Sequence, residues 1–464
     1  MSTLDATRLP ARGTVIVHGG YVMTLDDALG DLPGGTVVVR DGVIESVAAD
    51  PPGERADVLD PRTTVIDARG CVVLPGFVDT HWHLWNSLLR GVIGDGDRAY
   101  FPVKNRLAPF FTAEDTEVSV RLALAEATAA GITTLNDWDH NLRGPAYADV
   151  NARAIVDSGL RARYSYGNAD KLDPAQPMDL RDVLRCRTAW EGAPSEGRIT
   201  MGVALRGPVR TEPSVCRAEW EFARAHDLPI TMHCGGRRDE GGRYCELEAM
   251  GAAGMLGPDV QVVHAVHATP AEIELLARTG THISLSPLTE YRSMGIPPLG
   301  DLLAAGVQVS LSIDTLAIPT TADMLLQMNV TLSVERARTG RPDITPRRMV
   351  RMATLDGARD LGLDDRVGSL IPGKRADLIA VRVDGLGTAP AADPVATMVL
   401  CARTSDVDLV VADGRILKRD GKLTAVDARE VTARATAALR DVVQRSGWAV
   451  VLGVAADRPR VTSG

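Results

Sequence analysis

The sequence predicts an α/β fold, a (β/α)8 barrel accompanied by a small β domain that both ends of the chain build. In the middle of the chain, eight strand-like runs alternate with eight helical patterns over roughly 260 residues, which is the size of such a barrel. Both ends instead carry short β-rich segments punctuated by Asp-Gly turns. A doubly wound open sheet is the competing architecture, but no Gly-x-Gly-x-x-Gly pattern follows the first strand.

The two ends of the chain share one style of sequence. Strand composition with hairpin turns occurs at residues 14–17, 36–40, 43–44, 376–381 and 408–411. Because chain ends often lie close together, we expect one composite β domain. The alternative is two separate β flaps.

The middle of the chain alternates regularly. Strands are predicted at residues 73–79, 131–136, 160–166, 199–205, 229–233, 260–264, 281–286 and 307–313. Helices are predicted at residues 113–130, 144–158, 177–190, 213–226, 243–253, 270–279, 297–305 and 322–338. The clearest helix start is Thr269-Pro270-Ala271-Glu272, a capping box with proline in the first turn.

Composition limits the partners and the compartment. The chain has 464 residues and a net charge of −9 without a basic cluster, which argues against nucleic acid and anionic membrane as partners. Its six cysteines show no Cys-x-x-Cys spacing, which fits a reducing cytoplasm. No signal peptide or apolar run of membrane-spanning length is apparent. We therefore expect a cytoplasmic protein that acts on a small molecule.

The segment from Leu74 to His83 carries the first chemical signal, because a short strand there ends on His-x-His. Residues i and i+2 share a face of a strand, so His81 and His83 are expected to point the same way. Two imidazoles at the end of a buried strand provide two ligands of a metal site. Taken alone, the pair could equally be two unrelated polar residues.

Three further residues stand at the same position relative to other predicted strands. His233, His264 and Asp314 end the fifth, sixth and eighth strands, at the face where a barrel keeps its chemistry. Nitrogen and carboxylate donors suit Zn(II) or Fe(II), of which we favour Zn(II). Water bound to such a metal becomes a nucleophile near neutral pH. Asp314 could take its proton, and His264 could polarise the atom under attack.

Residues on the loops after the strands are candidates for substrate contacts, since an aromatic-lined site would stack on a planar heterocycle. The loop from Leu84 to Phe111 is long and rich in aromatic residues, which suits either a lid or plain packing. Arg206 could hold a carboxylate or carbonyl group, or merely pair with an acid of the barrel. The predicted substrate-binding residues are Trp82, Trp85, Trp138, His140, Tyr166, Asn168, Arg206 and His267.

Together these motifs resemble the amidohydrolase superfamily, nearest its cytosine deaminase and atrazine chlorohydrolase-like branch. The resemblance rests on Pro75-Gly76-Phe77-Val78-Asp79-Thr80-His81-x-His83, Gly131-Ile132-Thr133-Thr134, Met232-His233, Val263-His264, Ser312-Ile313-Asp314, Met352-Ala353-Thr354, Gly357-Ala358 and the stretch from Gly368 to Leu378. It implies a distorted (β/α)8 TIM barrel with a β-sandwich made from both termini. It also implies that His81, His83, His233 and Asp314 bind metal and that His264 is catalytic. We accordingly divide the chain into 1–73 (sandwich), 74–370 (barrel) and 371–464 (sandwich plus a C-terminal helix).

Two details refine the resemblance. Binuclear relatives bridge their metals with a lysine, commonly on the fourth strand, but this chain has no lysine between Lys171 and Lys374, so we expect one metal ion. Deaminases of this branch usually carry His-x-x-Glu after the fifth strand, whereas Gly236 stands here in place of the glutamate. Glu290, just past the seventh strand, is our candidate for the missing catalytic acid; the alternative is a solvated loop carboxylate.

The leading hypothesis is a mononuclear metal-dependent amidohydrolase that attacks a non-peptide C–N bond of a small nitrogenous metabolite, for which we favour a heterocycle, by deamination or cyclic amide hydrolysis. A lyase, a dehydratase or a hydrolase of another leaving group, such as chloride, is the alternative on the same site. A non-catalytic metal-binding scaffold is the third. The resemblance also implies a homo-oligomer.

Overall fold

The computed structural model describes residues 9–49, 63–235, 242, 244–318 and 321–448. Its strands, in chain order, are β1 Thr14–Met23, β2 Asp31–Arg40, β3 Val43–Ala48, β4 Thr63–Asp67, β5 Cys71–Pro75, β6 Phe77–Trp82, β7 Ile132–Asp139, β8 Arg161–Tyr166, β9 Ile199–Ala204, β10 Ile230–Cys234, β11 Val260–His264, β12 His282–Leu285, β13 Val309–Leu311, β14 Leu378–Arg382, β15 Val407–Ala412, β16 Arg415–Arg419 and β17 Lys422–Leu423. They form two sheets, one of eight strands and one of nine.

The eight-stranded sheet is the predicted barrel. Strands β6 to β13 follow one another in chain order, and neighbouring strands pair in parallel. The sheet closes between its first and last strands, where the backbone N–H of Asp314 donates to the carbonyl of His81 at 2.8 Å. The N–H of His83 donates back to the carbonyl of Asp314 at 2.7 Å. The predicted fold class is confirmed.

Asp79 fastens this closure with its side chain. The carboxylate is fully buried, and it accepts the N–H of His81 at 2.9 Å and the N–H of Ile313 at 3.0 Å. One carboxylate therefore satisfies backbone donors from both edges of the sheet that meet at the seam. The aspartate of the Pro-Gly-Phe-Val-Asp-Thr-His motif thus acts in closing the barrel.

The helices of the structure are α1 Tyr100–Leu107, α2 Ala113–Ala129, α3 Pro145–Ser158, α4 Leu180–Trp190, α5 Pro213–Ala225, α6 Glu246–Ala252, α7 Pro270–Thr279, α8 Pro287–Ser293, α9 Leu299–Ala304, α10 Met324–Thr339, α11 Pro346–Met352, α12 Leu355–Asp360, α13 Pro394–Cys401 and α14 Ala428–Arg445. Each of the eight helices predicted in the middle of the chain has a counterpart. The capping box at Thr269 is confirmed as well. Among the described residues, no helix combines the length and apolarity needed to span a bilayer.

The nine-stranded sheet combines strands from the N-terminal and C-terminal parts of the chain, as predicted. Its strands run in the order β17-β16-β15-β14-β5-β1-β2-β3, with β4 paired to β1. The contact between β5 and β14 is antiparallel and joins the N-terminal strands to the C-terminal ones. The limits set at 73/74 and 370/371 stay a prediction.

The predicted first barrel strand, 73–79, is wrong as one element. The structure divides it at Gly76: β5 belongs to the nine-stranded sheet and β6 begins the barrel. A Cβ atom at Gly76 would lie 2.1 Å from the hydroxyl oxygen of Thr133, so the chain passes the barrel base too closely for any side chain. The apolar run hid this change of sheet because both strands are fully buried.

The long loop after β6 is mostly packed. Trp85 and Phe111 are buried in a cluster with side chains of α14, the predicted C-terminal helix. Phe101 and Phe110, in contrast, expose 64% and 37% of their surface. The aromatic residues of this loop therefore serve partly as packing between the barrel mouth and the end of the chain.

A buried ion network joins the barrel to the nine-stranded sheet. Arg161, at the start of β8, reaches Asp377 at 3.4 Å and Asp413 at 3.3 Å. All three side chains expose 3% or less. Asp377 also accepts the backbone N–H of Asp413 at 2.7 Å, and Arg375 adds a second guanidinium to Asp413. The two parts of the fold are thus held together by charges that water cannot screen.

Replacing Arg161 by alanine should lower the free energy of unfolding by about 3 kcal/mol, because it leaves buried carboxylates with fewer partners. The unfolding midpoint in urea, followed by circular dichroism, measures the change. Arg69→Ala is the matched control, since that side chain is 79% exposed and pairs with Asp67 in solvent. Equal midpoints for the two variants would contradict a structural role of the network.

Candidate functional site

Four side chains converge at the carboxyl end of the barrel. His81 lies on β6 and His83 follows it, His233 lies on β10, and Asp314 follows β13. Each residue offers one potential ligand atom, a ring nitrogen or a carboxylate oxygen, and these four atoms lie within 4.8 Å of one another. The structure therefore brings together the four residues that were predicted to bind metal.

The distances between these atoms fit a cation better than hydrogen bonding. The Nε2 atom of His233 lies 3.2 Å from the Nε2 atoms of both His81 and His83, and the Nε2 of His81 lies 3.2 Å from Oδ1 of Asp314. Three imidazole nitrogens that face one another repel unless a positive charge lies between them. Tetrahedral zinc, with Zn–N bonds of about 2.0–2.1 Å, separates its ligand nitrogens by roughly 3.3 Å. The donor set and spacing therefore fit a divalent cation.

The protonation of the histidines agrees with this arrangement. The Nδ1 of His83 donates to the backbone carbonyl of Trp138 at 3.0 Å, so its Nε2 lone pair faces the cluster. Burial lowers the pKa of His83 to about 3. Burial likewise lowers the pKa of His233 well below its ordinary value, and the neighbouring histidines act in the same direction. Both rings are thus neutral at physiological pH, which is the form that binds metal.

Trp138 packs directly on the ligands. Its ring stacks on His233 with centroids 3.8 Å apart, and its edge meets His81 at 5.0 Å. It is 4% exposed and belongs to a small buried cluster with Ala204 and Val263. The position limits the freedom of two ligand rings; the predicted contact of Trp138 with substrate stays a prediction.

His264 and Glu290 form a second buried pair beside the four ligands. The Nδ1 of His264 donates to Oε1 of Glu290 at 3.1 Å, and the same oxygen accepts the N–H of Ser286 at 2.8 Å. Burial acts to lower the pKa of His264, but the hydrogen bond to Glu290 and the charge of Asp314 together raise it. Burial raises the pKa of Glu290. Glu290, predicted as the acid, thus lies behind His264 and fixes the direction of its ring.

Trp85 and His140 extend the cluster on the other side. The indole N–H of Trp85 donates to Nδ1 of His140 at 3.2 Å. The ring of His140 lies 4.3 Å from the ring of His83. This contact chain connects the first loop to a ligand, so both residues are near the site, while their contact with substrate stays a prediction.

Three other predicted residues are engaged elsewhere. Trp82 is fully buried in the main apolar core, and its backbone forms an isolated parallel bridge with Asp314. The hydroxyl of Tyr166 donates to Asp182 on α4 at 2.9 Å. Asn168 donates to the carbonyl of the next residue, Ala169. Their role in substrate binding stays a prediction.

Arg206 and His267 also have partners within the protein. The guanidinium of Arg206 binds acceptors of the loop after β8 and of α5, namely the carbonyls of Leu172, Asp173 and Gln176 and the carboxylate of Glu219. The ring of His267 stacks on Tyr244 with centroids 3.9 Å apart. Arg206 therefore fastens a loop in the structure, and its predicted hold on substrate stays a prediction.

One charged pair at the mouth was missed from the sequence. Glu246, at the start of α6, accepts the N–H of Gly235 at 2.6 Å and pairs with Arg210 at 2.9 Å. The expected glutamate position, Gly236, lies outside the described residues. The sequence held one usable signal, since Glu246 begins a predicted helix just after the fifth strand, but the partner in another loop could not be foreseen.

Comparisons with known proteins agree with this architecture. The model described as "Amidohydrolase family" matches residues 72–417. The chain is 32% identical over 451 residues to the 5'-deoxyadenosine deaminase of Methanosarcina barkeri, which covers 93% of this chain and 99% of that protein. It is 30% identical over 432 residues to the 8-oxoguanine deaminase of Pseudomonas aeruginosa, with 88% and 94% covered.

A solved structure shows the same fold. The atrazine chlorohydrolase of Arthrobacter aurescens TC1, complexed with zinc, superposes with a TM-score of 0.81 and 23% identity, covering 92% of this chain and 100% of that one. At this identity the likeness concerns the fold alone. It agrees with a barrel joined to a terminal sheet.

Replacing His233 by asparagine should weaken divalent metal binding at least about 100-fold. Loss of a residue that only supports a metal ligand already lowers metal affinity about 10–100-fold, and His233 is a proposed ligand itself. Metal content after dialysis, measured by plasma mass spectrometry, checks this, with one equivalent expected for the wild type. His226→Asn is the control, since its ring contacts Phe222 and hydrogen-bonds the carbonyl of that residue at the end of α5. Full metal content in the His233 variant would exclude the four-residue site.

Proposed function

The chain belongs to the amidohydrolase family, and from this premise we propose that it is a metal-dependent deaminase of a small nitrogen heterocycle. The prediction of a hydrolase acting on carbon–nitrogen bonds other than peptide bonds is confirmed by this membership and by its deaminase relatives. The convergence of three imidazoles and one carboxylate is the observation that carries the proposal.

The residues that would hold the cation are His81, His83, His233 and Asp314, which were also predicted from the sequence. A bound divalent cation supplies Lewis acidity, which makes water a nucleophile at neutral pH. We favour one Zn(II) over Fe(II), because the donors are imidazoles and a carboxylate and a structural neighbour was solved with zinc. The absence of lysine from β9 supports a single ion.

Asp314 is the proposed proton carrier. Burial acts to raise its pKa, but the hydrogen bond with His81 and the charge of His264 lower the pKa to about 2, so it is ionised and can accept a proton. Asp314 takes one proton from the attacking water while the water oxygen bonds to the ring carbon. It then returns this proton to the amino group, which leaves as ammonia as the C–N bond breaks. The second proton of the water replaces the one that His264 gives to the ring nitrogen, so the product carries an oxo group where the amine stood and an N–H on the ring.

His264 is proposed to hydrogen-bond the ring atom next to the carbon under attack. Glu290 orients this ring through Nδ1, which leaves Nε2 free to face the substrate. His264 and Glu290 can thus supply the proton that the ring nitrogen of the heterocycle needs. They would replace the glutamate that deaminases of this branch usually carry at the position of Gly236. Glu290 is therefore proposed as a positioning residue that acts through His264.

The compartment and the assembly remain proposals. None of the six cysteines forms a disulfide, and five of them are at least partly buried, which supports the proposal of a reducing cytoplasm. The homo-oligomer is proposed from the resemblance. The lyase, dechlorinating and scaffold alternatives have no specific observation in their favour.

Zinc-loaded protein should release ammonia from at least one member of a panel of amino-substituted purines and pyrimidines, and a chelator should abolish the release. Coupled detection of ammonia measures the rate. In water enriched in heavy oxygen, the product should gain one solvent oxygen, because water replaces the amine.

The controls separate the alternatives. Product without solvent oxygen would favour elimination over hydrolysis, and release of chloride from a chlorinated ring without ammonia release would favour dechlorination. Asp314→Asn should lose turnover, whereas the remote Asp365→Asn, with its side chain 75% exposed, should retain it. No turnover across the panel would argue for the non-catalytic scaffold.

Glu290→Gln should lower kcat about 100-fold and leave KM nearly unchanged, because the amide oxygen still orients His264 but cannot stabilise its charged form. Steady-state kinetics over a range of pH check this, and a changed pH profile is expected with the lower kcat. The variant should retain its metal, since Glu290 contacts none of the four proposed ligands. Unchanged kcat would remove the pair from the mechanism.

A further inference from the structure

Two loops at the barrel mouth hold the positively charged side chain of Arg210, which has no role in the proposed deamination steps. Arg210 lies in the loop after β9, and Glu246 begins α6 after β10. Both loops leave the carboxyl end of adjacent strands, and β10 carries the ligand His233. The pair is thus at the face of the barrel where substrate enters.

Glu246 is built into the wall of this mouth. Its side chain is fully buried, and Oε2 accepts the backbone N–H of Gly235 at 2.6 Å. Oε1 accepts from two nitrogens of Arg210, Nε at 3.2 Å and Nη2 at 2.9 Å. A buried carboxylate with these partners is a rigid anchor, so the guanidinium is held in one orientation.

Arg210 remains open on its other side. Its side chain is 35% exposed, and in the described part of the chain Glu246 is the only residue that contacts its guanidinium. Its anchor Glu246 also binds the N–H of Gly235, two residues after His233, so the guanidinium is held beside the end of the strand that carries this histidine. Arg206, four residues earlier, binds three backbone carbonyls and Glu219, and its side chain is only 11% exposed. Of the two arginines in this loop, only Arg210 is available to a ligand.

We propose that Arg210 binds an oxygen of the substrate, either a ring oxo group or a carboxylate, and thereby selects heterocyclic amines that carry one. A guanidinium donates two parallel hydrogen bonds to such an oxygen acceptor, which gives direction as well as charge. When the carbon that carries the amine lies at the ligand cluster, the bond to Arg210 holds the substrate ring from the side of β9 and β10. The inference rests on the proposed deaminase function and adds the substrate class to it.

The test compares amines that differ by one oxygen group. Isoguanine and adenine differ by a ring oxo group, while adenosine and its 5'-carboxylic acid differ by a carboxylate, so the two pairs distinguish the two sources of oxygen. For the preferred pair, Arg210→Gln should lower the ratio of kcat/KM about 10–100-fold, which is the value of a charge-assisted hydrogen bond. Arg210→Lys should restore part of the ratio, because it keeps the charge without the fork.

A matched control and a binding measurement exclude an effect on folding. Arg143→Gln removes an exposed arginine at the same rim that contacts Tyr147 and the carbonyl of Pro109, and it should leave the ratio unchanged. The double variant Arg210→Gln with Glu246→Gln leaves no buried carboxylate unpaired and should show the same loss of selectivity. By calorimetry, Arg210→Gln should weaken binding of xanthine, or of the carboxylic acid product, without weakening that of hypoxanthine.

The outcomes separate this inference from the function on which it rests. If the wild type deaminates the amines and Arg210→Gln keeps the ratios of the wild type, the role of Arg210 is wrong and the deaminase proposal stands. If the zinc-loaded wild type turns over no amine and binds neither product, both proposals fall. Equal loss of activity on both members of each pair would also overturn the selection of oxygen-bearing substrates.

Discussion

The closure of the barrel between its first and last strands is the constraint on which the site depends. Asp314 exchanges backbone hydrogen bonds with His81 and His83, so the seam that closes the sheet also sets three of the four ligands side by side. Asp79 holds both edges of this seam from within the protein. A shift of one residue in this pairing would turn the ligands away from one another, because side chains alternate along a strand. The backbone pairing that closes the barrel therefore also sets the positions of the proposed ligands.

The close approach of these four side chains lowers the stability of the metal-free protein, and the packing around them offsets this loss. Neutral imidazoles with facing nitrogens gain nothing from each other, and Asp314 brings a buried negative charge among them. Trp138 opposes the separation of these rings by stacking on His233, while its carbonyl fixes His83. The same residue thus acts through both its ring and its backbone. The framework holds the donors apart from water at the spacing a cation requires.

The sequence predicts the fold and the convergence of the proposed ligand side chains, because both follow from periodicity. Alternation of strands and helices gives the barrel, and residues at strand ends must meet at one rim, as His233 and Asp314 do. Which way a residue near the rim points depends instead on local geometry. Tyr166 ends a strand as His264 does, yet its hydroxyl bonds to a helix, because its side chain lies on the outer face of β8. Contacts between loops, such as Arg210 with Glu246, carry no periodic signal, so they were out of reach.

Backbone conformation explains why strand ends hold the chemistry here. His264 and Asp314 have φ angles of 77° and 66°, in the left-handed region that residues with a Cβ rarely adopt. Such a conformation costs about 1–3 kcal/mol at each residue and persists only when neighbouring contacts fix it. Asp314 is fixed by the seam, and His264 by Glu290. The left-handed conformation bends the backbone at the strand end, so the last side chain points over the barrel mouth and does not continue along the barrel wall. This bend places His264 and Asp314, the two residues that are proposed to move protons.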